Sequence, residues 1–195
     1  MANRNTAGFG LIAQGTVGST PATQGQGKYY IDAGDTDDLF QGCSVRMKDG
    51  YIVEASSTAT FATIGVFNGI FYNAATTQKP TRANWYNQPI TPANSEDITA
   101  FVIDNPNQLF VGAIDAAAAQ AEYGKTYGLT VTAAGSEISG QSSSTLTYAT
   151  RHATNNQWRL VRSAEDPEND ENAAYRSVVV AHNLNQYFTG AVSWA

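Results

Sequence analysis

The residues best suited by type to do chemistry are few: two histidines, His152 and His182, and one cysteine, Cys43. A Ser–His–acid site needs a histidine held between a hydroxyl and a carboxylate. The G-x-S-x-G turn that often displays such a serine is absent. Neither an H-x-H nor an H-E-x-x-H spacing is present to place two imidazoles on one metal ion. His152 follows Arg151 and reads as a strand-end or loop residue. His182 closes the valine-rich run Val178-Val179-Val180, where an imidazole can satisfy a backbone group. Cys43 has no His or Cys beside it in sequence to hold it as a thiolate, so it reads as a buried, inert thiol on a strand. As the lone cysteine it cannot close an intrachain disulfide.

The carboxylates are more numerous and no more specific. Asp35, Asp37 and Asp38 crowd one turn, without the ligand spacing of a calcium loop. Glu165, Asp166, Glu168, Asp170 and Glu171 surround Pro167 in a second acidic segment, 163–172. Arg159, Arg162 and Arg176 stand near enough in sequence to neutralise it. A glycosidase needs two carboxyl groups facing each other across a cleft, and spacing along the chain identifies no such pair. Gly8-Phe9-Gly10 is too short and wrongly placed for a dinucleotide-binding turn. These patterns predict a protein that is not an enzyme, with no catalytic, metal or cofactor site.

Composition narrows the partners. The net charge is −6, and charged residues make up only 14% of the chain, so Asn, Gln, Ser, Thr, Ala and Gly fill the surface instead. Residues 1–27 hold one arginine and no acid, for +1; residues 28–195 hold ten basic and seventeen acidic residues, for −7. An acidic body lacks the Lys and Arg that displace counterions from a phosphate backbone, which argues against nucleic acid as a partner. No apolar run is long enough to span a membrane, and Met1 to Gly15 lacks the apolar core of a secretory signal.

The elements that must position these residues read as short strands. Leu39 to Tyr72 alternates β-branched and aromatic residues with polar ones and turns at Asp49-Gly50, which predicts a β-meander. Lys28–Ala33, Tyr127–Thr132, Leu146–Thr150, Trp158–Arg162 and Tyr175–His182 read as further strands. Ile98–Asp104 and Leu109–Ile114, on either side of Asn105-Pro106-Asn107, read as a hairpin. Asn73–Asn87 reads as a loop carrying Trp85 and Tyr86, and Ala116–Glu122 as one or two helical turns stopped by Gly124. The fold class expected is all-β: a barrel or sandwich of short antiparallel strands with at most one short helix. An extended arm, 1–27, would precede a barrel-like lobe, 28–115, and a second β lobe, 116–195. Phe9, Leu11 and Ile12 are apolar anchors in an otherwise polar arm, and Tyr187, Phe188 and Trp194 make the C-terminal tail aromatic. These residues, with Trp85 and Tyr86, are the expected contacts with a partner.

Across most of its length the chain resembles the head decoration, or cement, proteins of tailed bacteriophages. The resemblance lies in the order of several short pieces. They are Gly8-Phe9-Gly10 in a polar arm, Gln41-Gly42-Cys43-Ser44-Val45, Asp49-Gly50-Tyr51-Ile52 and Ile64-Gly65-Val66-Phe67-Asn68-Gly69. Thr99-Ala100-Phe101-Val102, Asp104-Asn105-Pro106, Gly124 to Leu129, Gly140-Gln141-Ser142-Ser143 and Asn183 to Tyr187 follow. In the last piece Asn185 stands where the family pattern has a histidine, so no role for that histidine transfers. The resemblance implies an all-β structural protein of the virion that stabilises the capsid by bridging major capsid protein subunits. It also implies homotrimers at local three-fold positions on the outer surface, synthesis in the host cytoplasm, and no catalysis. The alternative is a glycan-binding virion or tail module, with Trp85, Tyr86 and Trp194 as stacking platforms.

Overall fold

The computed structural model describes residues 7–18, 25–55, 60–130 and 135–188. Twelve strands run through them: β1 (Ile12–Thr16), β2 (Gly27–Ile31), β3 (Ser44–Lys48), β4 (Tyr51–Glu54), β5 (Gly65–Asn73), β6 (Pro80–Ala83), β7 (Ile98–Ile103), β8 (Gln108–Ile114), β9 (Thr126–Leu129), β10 (Leu146–His152), β11 (Trp158–Ser163) and β12 (Arg176–His182). The all-β expectation holds. The helical candidate shrinks to one 3₁₀ turn at Gln120–Glu122, and another lies at Ala93–Ser95. At the alanine run, Ala118 is fully buried and its carbonyl accepts from the Arg176 guanidinium instead of a following helical N–H.

One sheet closes on itself. Its order is β8–β10–β9–β11–β12, and β12 pairs back onto β8 from Arg176↔Ile114 to Ala181↔Leu109. Closure removes the free edges that an open sheet leaves. Phe110, Tyr127, Leu146, Trp158, Leu160, Val178 and Val180 fill the interior. The other sheet runs β2–β7–β5–β3–β4, with β6 on β5, over Ile31, Val45, Ile52, Phe67, Ile70 and Ile98. Val66 and Ile103 belong to strands of this second sheet, yet they pack with the barrel-side residues, joining the two cores at the seam.

Several pairings differ from the sequence expectation. The segment 39–72 is not a meander: β3 lies between β4 and β5, so β5 passes β4 and returns to pair with β3. β7 and β8 form no hairpin. Both edges of β7 are taken, by β2 and β5, so β8 crosses into the barrel. The division into sheets therefore falls between 103 and 108, and β8 joins the strands that follow residue 116. The expected loop 73–87 contains β6, an edge strand that Pro80 opens, where a missing N–H costs no ladder bond.

The arm is corrected as well. Residues 1–6 and 19–24 lie outside the described residues, but 7–18 are built into the body. β1 pairs antiparallel with β8, Ile12 opposite Val111 and Ala13 opposite Phe110. Gly10 and Gly42 both take positive φ and let two backbones meet, so the Leu11 N–H donates to the Gly42 carbonyl at 2.8 Å. Leu11 is 3% exposed and lies over Gly112, where a Cβ would come within 2.8 Å of Leu11 Cδ2. Apolar anchors in a polar segment suit the chain's own core as well as a partner's, which is why composition alone misplaced them.

Leu11→Ala should cost about 2–5 kcal/mol, because it empties a site the barrel cannot collapse to fill. Ile12→Ala, at a half-exposed position, should cost less than about 1 kcal/mol. Urea unfolding of the two variants checks this, and equal small losses would mean that β1 is peripheral.

Candidate functional site

The reactive types are each consumed by structure. His152 Nδ1 accepts from the backbone N–H groups of Thr154 and Asn155 at 3.2 and 3.3 Å, capping its own turn. His182 lies across from Trp158 on the neighbouring strand, with ring centroids 4.3 Å apart, and meets Phe110 edge-on. Its Nδ1 is 3.5 Å from Thr63 Oγ1 and its Nε2 is buried without a partner. It therefore satisfies no backbone group, and burial lowers its pKa to about 3. Cys43 is buried as expected; burial first, and the Glu54 charge second, push its thiol far up.

The acids are likewise engaged locally. Asp32 Oδ1 accepts from Gly34 N–H and Asp35 Oδ1 from Asp37 N–H, the self-capping of an Asp-rich turn. Burial, then the charges of Asp37 and Asp35, raise Glu54 to about 7. In the segment 163–172, Arg176 reaches Glu171 at 3.2 Å and Arg162 reaches Glu165 at 3.7 Å. Arg159 turns instead to the Gly124 carbonyl and Asn183. Among the described residues no group of three or more His, Cys, Asp or Glu is arranged to hold a metal ion. None of their helices is long and apolar enough to cross a membrane, which leaves strand-spanning proteins unaddressed.

The Glu122 centre escaped the sequence reading, and so did the full burial of Arg176, expected only to neutralise the acidic segment. Glu122 is 8% exposed and accepts from Tyr127 Oη, Lys125 Nζ and Arg151 Nη1 at 2.9, 3.1 and 3.0 Å. Burial would raise its pKa, but the hydrogen bonds from Tyr127 and Lys125 and the Arg151 charge outweigh it, and the carboxyl stays below its usual range. Arg176 is fully buried and binds the Ala118 carbonyl, Tyr123 Oη and Glu171. A lone arginine heading a valine strand is the one signal in the sequence that such a buried cation exists.

The expected partner contacts separate into three groups. Leu11 and Tyr86 are core residues. Tyr86 is 0% exposed, its backbone pairs with Leu39 and its hydroxyl donates to the Asp35 carbonyl at 3.2 Å. Neither has surface to offer. Phe9 and Trp85 are partly buried, Trp85 lying flat against Phe40 at 5.4 Å. Ile12, Tyr187 and Phe188 are exposed, by 50, 51 and 74%. Trp194 lies outside the described residues.

Tyr187 and Phe188 stand on a fixed base. Asn185 and Gln186 are buried, and the Gln186 carboxamide bonds both ways to Met47, accepting from its N–H at 2.7 Å and donating to its carbonyl at 3.1 Å. Thr63 donates to the Leu184 carbonyl and accepts from Gln186 N–H, tying this segment to the second sheet. Tyr187 Oη then meets Tyr29 and Asp104. The clearest cleft lies at the seam of the two sheets, about 360 Å³, with Phe9, Leu11 and Ile12 on one side and Val66, Asn68 and Ile103 on the other. Among the described residues its lining holds no ionisable side chain and no hydroxyl or thiol. The arrangement pairs carboxamides with apolar side chains.

Set against known protein families, curated proteins and solved structures, the chain matches none.

His182 and Glu54 give opposite pH dependences. His182 ionises near 6.5 unfolded and about 3 folded, so its contribution is complete above pH 6.5 and is lost as pH falls towards 3. Glu54 ionises near 4.5 unfolded and about 7 folded, so its contribution is complete below pH 4.5 and is lost as pH rises through 7. Between the two unfolded values the slopes oppose, each at most about 1.4 kcal/mol per pH unit. Glu54→Gln should make stability rise with pH across that window relative to the parent, and His182→Gln should make it fall. Urea midpoints at several pH values test this; parallel profiles for all three proteins would refute it.

Proposed function

We propose that this chain is a structural virion protein that decorates a bacteriophage capsid and stabilises it by bridging major capsid protein subunits. The observation that carries the reading is the fixed, exposed pair Tyr187 and Phe188. Both stand half or more in solvent immediately after two buried, hydrogen-bonded residues, so their backbone is held, and the Tyr187 hydroxyl is tied to Tyr29 and Asp104, before a partner arrives. Preorganised aromatic anchors of this kind dominate binding energy at protein interfaces, because little conformational freedom is lost on docking. The resemblance of several short motifs to decoration proteins is what suggests major capsid protein as the partner and a homotrimer at local three-fold positions.

The physics of cementing suits such a chain. A protein that binds the assembled shell and not its free subunits favours the shell by mass action. The contact repeats over many equivalent positions, so a modest affinity per site is sufficient. No reaction is required, and the reading leaves the chain without catalysis, cofactor, nucleic acid or membrane as partner. A glycan-binding role on the virion or tail is the second reading, favoured by the uncharged cleft at the sheet seam. It loses two of its expected platforms, since Tyr86 is buried and one face of Trp85 is covered by Phe40.

Light scattering of the purified protein should give about three times the chain mass of 20.8 kDa. Electron cryomicroscopy of the particle should find it on the capsid exterior at three-fold positions. Phe188→Asp should weaken attachment to undecorated shells by about tenfold or more and leave the fold unchanged. Attachment unaffected by that change, or a protein found only on the tail, would sink the proposal.

A further inference from the structure

The cleft at the sheet seam continues past Phe9 into a second one of about 270 Å³, and Phe9 and Gln141 line both. The two lobes differ in chemistry. On the seam side Gln26, Gln41, Asn68 and Gln141 present four carboxamides. On the far side Ser136, Ser139, Ser142 and Ser143 surround the ring, with Gly8 and Gly135 between them. Among the described residues neither lobe contains an acid, a base or a histidine, although the chain carries 17 acids and 11 bases. A groove that sets amides and hydroxyls beside apolar side chains, with Phe9 shared by both lobes and Phe67 in the seam lobe, is therefore a local exception to the acidic body.

Three of the amides, Gln41, Asn68 and Gln141, are held in place. Gln41 Nε2 donates to Asn68 Oδ1 at 2.7 Å, and Gln141 Nε2 donates to the Phe9 carbonyl at 3.2 Å. These bonds orient each group and leave Asn68 Nδ2 and Gln141 Oε1 without a protein partner among the described residues. The seam lobe thus has a donor and an acceptor to offer, and the far lobe the Gln141 acceptor beside serine hydroxyls. Gly8 and Gly10 bracket Phe9, and a Cβ at Gly8 would lie 2.1 Å from the Ser143 carbonyl, so the backbone carrying the ring is pressed against the serine segment.

We infer that this two-lobed groove binds a neutral oligosaccharide. Sugar hydroxyls both donate and accept, which matches carboxamides and serines and leaves no charge desolvated. The C–H face of a pyranose ring is apolar and packs on an aromatic face, the part Phe9 would take. Lys and Arg, which an anionic glycan or nucleic acid requires, are missing from the described lining. The combined size, about 360 and 270 Å³, falls within the range of small-ligand sites. The ligand class does not depend on where the protein sits on a particle, so this inference and the capsid assignment can fail separately.

The test uses the full chain and four probes: hexasaccharides of glucose, mannose and N-acetylglucosamine, and hexagalacturonate as the anionic control. Saturation-transfer NMR and calorimetry should detect at least one neutral probe binding with a Kd of about 1 mM or tighter. Hexagalacturonate should not bind. Phe9→Ala and Gln141→Glu should each weaken the neutral probe about tenfold, with near-ultraviolet circular dichroism unchanged. Gln141 is exposed, so its variant reports on the groove even if Phe9→Ala disturbs folding. No neutral binding at about 10 mM probe, equal or tighter binding of hexagalacturonate, or neutral binding unaffected by Gln141→Glu would each overturn the inference.

Discussion

β8 is the strand on which the rest of the structure depends, because three partners share its two edges. β12 takes one edge along nearly its whole length. The other is divided: β1 holds the first part, from Gln108 to Val111, and β10 meets it at Ile114. A sheet of five strands closes only if the last finds the first in register, and here that register is set by β8 alone. Gly112 follows from the same constraint. Leu11 crosses over it, and any side chain there would meet Leu11 before it met the core. The loop from β7 to β8 is consequently the only passage from one sheet to the other between β2 and β12, and the C-terminal segment must return across the seam to secure it.

That return is made almost entirely by neutral polar groups. Gln186 occupies the edge of β3 at Met47 as another strand's backbone would, with one acceptor and one donor on a single side chain. Asn169 does the same within the acidic segment, donating to the Ala164 and Ser177 carbonyls and accepting from Ser177 N–H. Asn156 and Gln108 are buried and bonded to backbone carbonyls. A carboxamide completes a backbone ladder without the desolvation penalty of an ion, which runs to several kcal/mol per buried charge. The low charge of the chain is thus a structural property before it is a surface property.

The sequence made the strands legible and the pairings much less so. Period-two alternation and Gly or Pro turns mark most strands within a residue or two, and Tyr175–His182 stands out because its valines admit no other reading. What alternation cannot show is which edge a strand will use. Ile98–Asp104 and Leu109–Ile114 look like hairpin partners because they are adjacent, but β7 is apolar on both faces and already flanked, and only long-range pairing reveals it. Apolar residues near a terminus posed the same difficulty, since Phe9, Leu11 and Ile12 are equivalent in sequence and end respectively in a groove, a core and solvent. The seam cleft had no signal of its own: Gln26, Gln41, Asn68 and Gln141 lie far apart in the chain and are ordinary residues in an Asn- and Gln-rich composition.

Glu122 and His182 show how the fold treats groups that in another setting would be reactive. Glu122 is held ionised by three donors, and its hydrogen bonds leave it no proton to give and little basicity to take one. His182 is held neutral by the opposite means, desolvation against Trp158 and Phe110 with no counter-charge beside it. Both are pushed away from the range in which a proton moves at neutral pH, whereas catalytic acids and bases are tuned towards it. Glu54 alone is brought near 7, and it stands on the outermost strand of the second sheet beside Asp35 and Asp37, away from the seam cleft. The raised carboxyl and the seam cleft are thus separate features: Glu54 adjoins a shallow cleft of about 170 Å³ lined by Asp32, Asp35, Lys48, Asp49 and Tyr51, whereas the described lining of the seam cleft is uncharged.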